Sequence, residues 1–374
     1  MRMLVAGFLM LAVGAFLDTM RGPLLPLLQS SLGFSHTAGG LFLVTASVAS
    51  ISVTLVLNGL FERFGERRVA HGALAAGVLA AVSGFGVTSY PTALGLGLLL
   101  GAAAASLGAL SNVFVIRGST AASLGRNLCG LHAMYGAGSA LAPAVLGAAL
   151  SRGVGWPWAL AILPAGLAAL AVLAIPASGV AEAEAEARSE RARLGGLEVL
   201  ILLTITAYVV GEVLCSLWMT SFLVETTGAT PASAAPVLSA FFGAMFVVRL
   251  LAFAGLRARW EWPVLWGSLV IGITGQALGI AGFSWGLALA GAMGLYFPVF
   301  FARVSRLFPR RWRALAVWML AATQLGLAAM NLVMGQVADR LGLQQAYWLP
   351  LCALLLCAVC TAVYASIERR VSAA

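Results

Sequence analysis

Asn58-Gly-Leu-Phe-Glu-Arg-Phe-Gly-Glu-Arg-Arg68 is a short, charged, glycine-punctuated stretch with a long apolar run on each side. Val44 to Leu57 precedes it, and Val69 to Leu110 follows it, without a single Asp, Glu, Lys or Arg. Two membrane-crossing helices joined by so short a turn must run antiparallel and emerge on the same face. Glu62, Arg63, Glu66, Arg67 and Arg68 are too costly to place in lipid, so they mark the water boundary.

Composition extends that reading to the whole chain. The 374 residues are 61% hydrophobic and 9% charged, which excludes an ordinary soluble domain. Apolar runs of about twenty residues recur from end to end, each long enough to cross a hydrocarbon core of roughly 30 Å. The first such run continues past Leu17 toward Leu28, unlike a cleavable signal peptide. The polar stretches between runs are too short for a soluble catalytic domain. Five cysteines (Cys129, Cys215, Cys352, Cys357, Cys360) fall inside apolar runs. Cys357-x-x-Cys360 has metal-site spacing but no second pair, so all five read as small packing residues and no metal is expected.

The net charge of +9 is a topology signal, not a nucleic-acid footprint. All 22 basic residues are Arg. Eighteen fall in one set of loops: Arg2, Arg63, Arg67, Arg68, Arg117, Arg126, Arg188, Arg191, Arg193, Arg257, Arg259, Arg303, Arg306, Arg310, Arg311, Arg313, Arg369 and Arg370. Arg21, Arg152 and Arg340 fall on the opposite side, and Arg249 lies within a span. The positive-inside rule makes the first set cytoplasmic, with both ends of the chain inside and an even number of spans.

Twelve spans fit: 3–28, 38–58, 69–88, 91–116, 124–151, 156–177, 197–224, 232–256, 262–282, 284–307, 313–337 and 345–367. Residues 179–196 form the one long connection, rich in Ala, Glu and Arg, with Glu preceding Arg in the order that favours helical side-chain pairs. It reads as a cytoplasmic linker between two six-helix bundles, 1–178 and 197–374. Internal similarity supports two equivalent halves. Leu107-Gly-Ala-Leu-Ser-Asn-Val-Phe-Val-Ile-Arg117 aligns without gaps on Met293-Gly-Leu-Tyr-Phe-Pro-Val-Phe-Phe-Ala-Arg303. Gly138, Gly147 and Arg152 match Gly326, Gly335 and Arg340 at one constant offset. Gly335-Gln-Val-Ala-Asp-Arg-Leu-Gly342 repeats the pattern of the opening turn, on the opposite face.

The opening turn resembles the loop between the second and third helices of the major facilitator superfamily, whose pattern is Gly-x-Leu-Ala-Asp-Arg-x-Gly-Arg-Lys. Leu60, Arg63, Gly65 and Arg67 fall on its positions and Glu62 keeps the acid, while Asn58 and Glu66 depart from it. The resemblance implies an all-α membrane protein of twelve helices in two pseudo-symmetric bundles. It also implies that Glu62 locks one state by pairing with charges and a helix end across the interface between the halves. His132-x-x-Tyr-Gly-x-Gly and Pro143 in span five, Tyr208-x-x-Gly-Glu212 with Trp218 in span seven, and Phe297-Pro in span ten are similar to motifs of fucose-permease-like facilitators. The sugar–proton symporters of that group carry acids near the end of span one and in span four. Here span four has Asn112 and no acid, and Asp18 sits about one turn early. Gly130, Gly138, Pro143 and Gly147 partly resemble the span-five motif of proton-driven exporters, with Ala142 where the Gly before Pro is usual.

The chemistry must come from charges placed where lipid would be, since each needs a cavity or a partner. Asp18 and Glu212 lie at corresponding depths of spans one and seven and face one another across a central cavity if the halves are equivalent. Arg21 is three residues after Asp18, on the same helical face, and balances its charge. Glu212 has no base within a helical turn, which makes it the better proton carrier. His132 and Tyr135 share a face of span five, and His132 could relay a proton. Arg21, Asn112, Tyr135, Trp218, Gln276, Gln324 and Asn331 are candidate solute contacts; packing and interhelical hydrogen bonding explain the same residue types. Arg249 either binds an anionic group or, as favoured here, pairs with a carboxylate such as Glu62; it is grouped with the gating residues Leu60, Glu62, Arg63, Gly65 and Arg67. An intramembrane enzyme would need a nucleophile beside His132, and no Ser or Cys stands at a suitable spacing with a carboxylate. The sequence therefore points to a secondary transporter of a small polar solute, a sugar or related metabolite, with protons as coupling ion, acting in the cytoplasmic membrane. It would work as a monomer, without cofactor or nucleic acid. A proton-driven exporter of amphipathic compounds is the alternative.

Overall fold

The computed structural model describes residues 1–120, 123–176, 195–255, 258–308 and 311–373. Most of the linker expected at 179–196 lies outside the described residues. The described chain is all helix: α1 (Arg2–Leu32), α2 (His36–Phe64), α3 (Glu66–Val82), α4 (Tyr90–Arg117), α5 (Leu124–Ser151), α6 (Trp156–Ala174), α7 (Gly196–Thr227), α8 (Pro231–Gly255), α9 (Glu261–Ile280), α10 (Ser284–Ala290), α11 (Tyr296–Leu307), α12 (Trp312–Leu341), α13 (Leu343–Ala346) and α14 (Trp348–Ala373). Twelve segments among the described residues are long and apolar enough to cross a membrane. Span ten is α10 and α11 together, span eleven is α12, and span twelve is α13 with α14.

Local chemistry sets the helix ends. Gly33, with φ 68°, closes α1 in the left-handed conformation that favours glycine, its N–H donating to Gln29 O. Ser35 caps α2 by accepting from Ala38 N. Ser89 and Thr92 form a capping box at α4. The tight turn between α2 and α3 is Gly65, at φ 75° and ψ 149°. Gly342 repeats those angles, 86° and 157°, after α12.

Small residues bring the helices together. Within the halves, α1 packs on α4, α5 and α6, and α7 packs on α12 and α14. A Cβ on Gly138 of α5 would run into the Ala12 carbonyl of α1, and one on Gly326 of α12 would meet Thr206 of α7. These two contacts are counterparts in the repeat. Between the halves α1 meets α7, α2 meets α12 and α5 meets α8. Here too the repeat holds: Gly147 of α5 lies against Ala232 and Ala235 of α8, while Gly335 of α12 lies against the His36 carbonyl of α2. Without a hydrophobic drive inside lipid, such close backbone approaches supply the packing. At the Arg-rich end Glu66 pairs with Arg117, and Glu261 with Arg303, again at matching places.

Span ten departs from the single helix expected over 284–307. It breaks into α10, a 3-10 turn over Gly291–Leu295, and α11. Two features explain the break. Gly291 lies so close to the Phe241 carbonyl of α8 that a Cβ could not fit. Pro298 has no N–H to give Gly294 O, four residues back. Broken helices are tolerated at membrane depth where protein groups satisfy the freed backbone.

Candidate functional site

A cavity of about 610 Å³ lies between the halves, toward their Arg-rich ends. Asp18 (α1), Asn112 (α4), Tyr135 (α5) and Gln324 (α12) line it, with Ser50 and Thr54 of α2. The remaining lining is apolar, including Leu11, Ile51, Leu55, Val317 and Leu320. Toward the Arg-poor end the helices converge and close it. Gly22 of α1 lets the Leu217 carbonyl of α7 approach to 3.0 Å of where a Cβ would stand, and Gly40 of α2 sits against the Asn331 carbonyl of α12.

Asp18 is fully supplied with donors. One carboxylate oxygen pairs with Arg21 Nη2 and the other accepts from the Tyr135 hydroxyl at 3.0 Å. Arg21 also donates its Nε to Asp18 O at 2.9 Å and is 8% exposed, so it serves Asp18 and does not line the cavity. Asn112 turns its amide back to Gly108 O at 2.8 Å and leaves its carbonyl to the cavity.

The acid of the other half has different surroundings. The Tyr208 hydroxyl lies between the Glu212 carboxyl, its hydrogen-bond partner one turn on, and Met293 O at 3.0 Å. Tyr208 stacks on Tyr296, centroids 4.6 Å apart. The break in span ten builds this region: Met293 and Gly294 belong to the 3-10 turn, and Gly294 O accepts from Arg249 Nε at 3.0 Å. A phenol has one proton to give. Its single proton is therefore shared between the Met293 carbonyl and the Glu212 carboxyl.

Several expectations change. Arg249 does not meet Glu62. It is anchored on Gly294 O, next to the Met293 carbonyl that Tyr208 engages, which places it by the central region. Trp218 and Asn331 are buried and bonded to each other at 3.0 Å, in the closed part beyond the cavity. Gln276 is buried and donates to Gly211 O at 3.0 Å, tying α9 to α7. His132 is exposed on α5 and does not line the cavity. Leu60, Glu62, Arg63, Gly65 and Arg67 are all exposed, and Glu62 takes no part in the ion pairs among the described residues. No group of His, Cys, Asp and Glu that could hold a metal occurs among the described residues.

The sequence reading missed Ser50 and Thr54 in the cavity and Tyr208 beside Glu212. For Tyr208 a signal existed, because it is four residues before Glu212 and so on the same helical face. Gly291, Gly294 and Pro298 together were the signal for the broken span.

Solved structures share this fold at low identity. The nucleoside transporter NupG superposes with TM-score 0.70 at 15% identity, covering 98% of each chain. A D-xylose–proton symporter gives 0.70 at 18%, covering 96% of this chain and 95% of its own. A bacterial homologue of the human lysosomal transporter Spinster, in an inward-facing and unoccupied conformation, gives 0.68 at 14%, covering 97% and 95%. No curated protein sequence matches the chain. The family model of the Major Facilitator Superfamily matches residues 7–288, so the chain belongs to that superfamily and is a multi-pass membrane transporter.

Proposed function

We propose that the chain is a proton-coupled secondary transporter of a small polar solute, a sugar or related metabolite, in the cytoplasmic membrane. In this reading both ends of the chain and the Arg-rich loops are cytoplasmic, and the fucose-permease-like motifs mark the subgroup. The solute enters the cavity from the Arg-rich side and meets Asp18, Asn112, Tyr135 and Gln324. Fixed polar groups in a mostly apolar cavity orient a small ligand. A nucleoside transporter and a D-xylose–proton symporter share the fold, and both names denote small polar cargo.

One observation carries the coupling. Asp18 has Arg21 and Tyr135 as donors and needs no proton, whereas Glu212 shares a hydroxyl already engaged at Met293 O. Glu212 is the group that takes up and releases the coupled proton, with Arg249 as the nearby cation. The cavity's apolar lining favours a second reading, export of amphipathic compounds by the same proton site.

A thermal-shift panel of sugars, nucleosides, amino acids and amphipathic drugs identifies the ligand class. Transport into proteoliposomes, with and without an imposed pH gradient, then tests the coupling. Glu212→Gln mimics the protonated acid: equilibrium exchange should stay within about twofold of wild type, while gradient-driven accumulation disappears. Accumulation persisting in this variant removes Glu212 as the carrier. Saturable transport of one polar class supports the first reading, and broad efflux of amphipathic compounds supports the second.

A further inference from the structure

The Arg-poor end holds a contact that the cavity and Glu212 do not involve. Asp339, at the end of α12, accepts from His36 N through Oδ1 and from Thr37 N through Oδ2, both at 2.8 Å. These are the first two N–H groups of α2. The third, Ala38 N, is taken by the Ser35 hydroxyl at 3.3 Å. The opening N–H groups of a helix have no partner within it, so α2 obtains two of them from the other half of the molecule. The carboxylate also faces the positive end of the helix dipole. Close backbone approach makes this reach feasible: Gly335, one turn before Asp339, lies against the His36 carbonyl. The His36 ring adds a side-chain contact, with Nε2 3.4 Å from Glu225 of α7 and Nδ1 3.2 Å from the Gln29 amide of α1.

The repeat shows that this cap is not a generic consequence of packing. Ser151 of α5 stands where Asp339 stands in α12, and its hydroxyl donates within its own helix to Ala148 O at 3.1 Å. The facing helix, α8, is capped locally, with Ser233 N donating to Thr230 Oγ1 at 3.2 Å. Among the described residues, the α2–α12 interface is the one where a carboxylate of one half bonds the opening N–H groups of a helix in the other.

We propose that Asp339 is the latch of the Arg-poor gate: its carboxylate holds the N-terminus of α2 while that end is closed, and its release admits the alternative state. His36 and Thr37 belong to one half and Asp339 to the other, so the bonds cannot survive separation of these helix ends. A cap of this kind shifts an equilibrium by roughly fivefold. The inference is independent of which solute is carried and of whether Glu212 carries a proton.

The test is electron–electron distance measurement on purified protein in lipid nanodiscs, with the five native cysteines replaced. One spin-label pair spans the Arg-poor face at the exposed residues Thr88 and Gln345, and a second spans the Arg-rich face at the exposed residues Arg63 and Trp318. Asp339→Asn should raise the ratio of long to short distances across the Arg-poor face about fivefold, and raise short distances across the Arg-rich face in step. A second comparison leaves Asp339 intact: His36→Pro against His36→Ala. Both lose the imidazole, but only proline, tolerated at the first helical position, also deletes the N–H. The proline variant should open the Arg-poor face further than the alanine variant. Unchanged distributions in Asp339→Asn, or equal ones in the two His36 variants, overturn the latch. Lengthening at both faces overturns it too, because that reports loosening and not a change of state.

Discussion

Two regions with one sequence pattern stand in opposite conditions. Asn58–Gly65 at the Arg-rich end and Gly335–Gly342 at the Arg-poor end both run through an acid, an arginine and, three residues after the acid, a glycine. Both glycines take a positive φ with an extended ψ. Yet Asp339 is bonded across the halves, while Glu62 is exposed and outside every ion pair among the described residues. The local pattern therefore fixes the turn but not the partners of its acid. The engaged copy is the one at the Arg-poor end, where the helices converge.

The strongest way to break this contrast is Gly335→Ala. Its Cβ would overlap the His36 carbonyl of α2, an atom that cannot swing aside. Overpacking of this kind costs about 1–3 kcal/mol, so the closed Arg-poor face should lose roughly tenfold in population. At Gly59, in the other copy, nothing lies within 4 Å of an added Cβ, and Gly59→Ala should leave the distances unchanged. Accessibility of a cysteine placed at Ser50 in the cavity lining, read with a thiol reagent from each face in turn, checks both variants. Equal effects at the two positions would mean that closure does not depend on the α2–α12 backbone contact.

Asp18 and Glu212 sharpen the comparison at the centre of the molecule, where equivalent positions again differ in partners. Asp18→Asn should leave the nearly buried Arg21 without its counter-charge and cost about 3 kcal/mol, seen as a lower unfolding temperature. Adding Arg21→Met should restore stability, because removing both charges leaves neither unpaired. Glu212→Gln should be much milder, since an amide can still hydrogen-bond Tyr208. A stability loss in Glu212→Gln as large as in Asp18→Asn would show that the two acids are alike.

How much of this was legible in the sequence differs between the fold and the site. The twelve spans and the repeat follow from hydropathy, arginine placement and glycine spacing, because lipid imposes those patterns on every helix. The Asp18–Arg21 pair was legible because both partners share one helix face. Trp218 and Asn331 lie on different helices, and no periodicity within α7 or α12 tells that the two bond to each other and not to a solute. The contact that Arg249 makes was hidden for a related reason. Its partner is a carbonyl freed by Pro298 on a different helix, and a backbone acceptor leaves no side-chain signature to pair it with. Asp339 was noted as part of a repeat, but its bonding depends on how the halves lean on each other.

Glu62→Gln is the smallest expected effect and the most informative about the two copies. Alone, it should change little, because Glu62 is exposed and takes no part in the ion pairs among the described residues. If Glu62 is the counterpart of Asp339, its carboxylate acts only in the state closed at the Arg-rich end. That state becomes populated when the latch is weakened, so the substitution must be read in the Asp339→Asn background. There Glu62→Gln should bring the long-to-short ratio across the Arg-poor face back toward wild type, by roughly the severalfold shift that losing one helix-end charge produces. Distance measurements on the four proteins of the cycle give the coupling directly. Additive behaviour with no recovery would make Glu62 a solvated turn residue that obeys only the charge rules of topology, and would leave the molecule with a single latch, at Asp339.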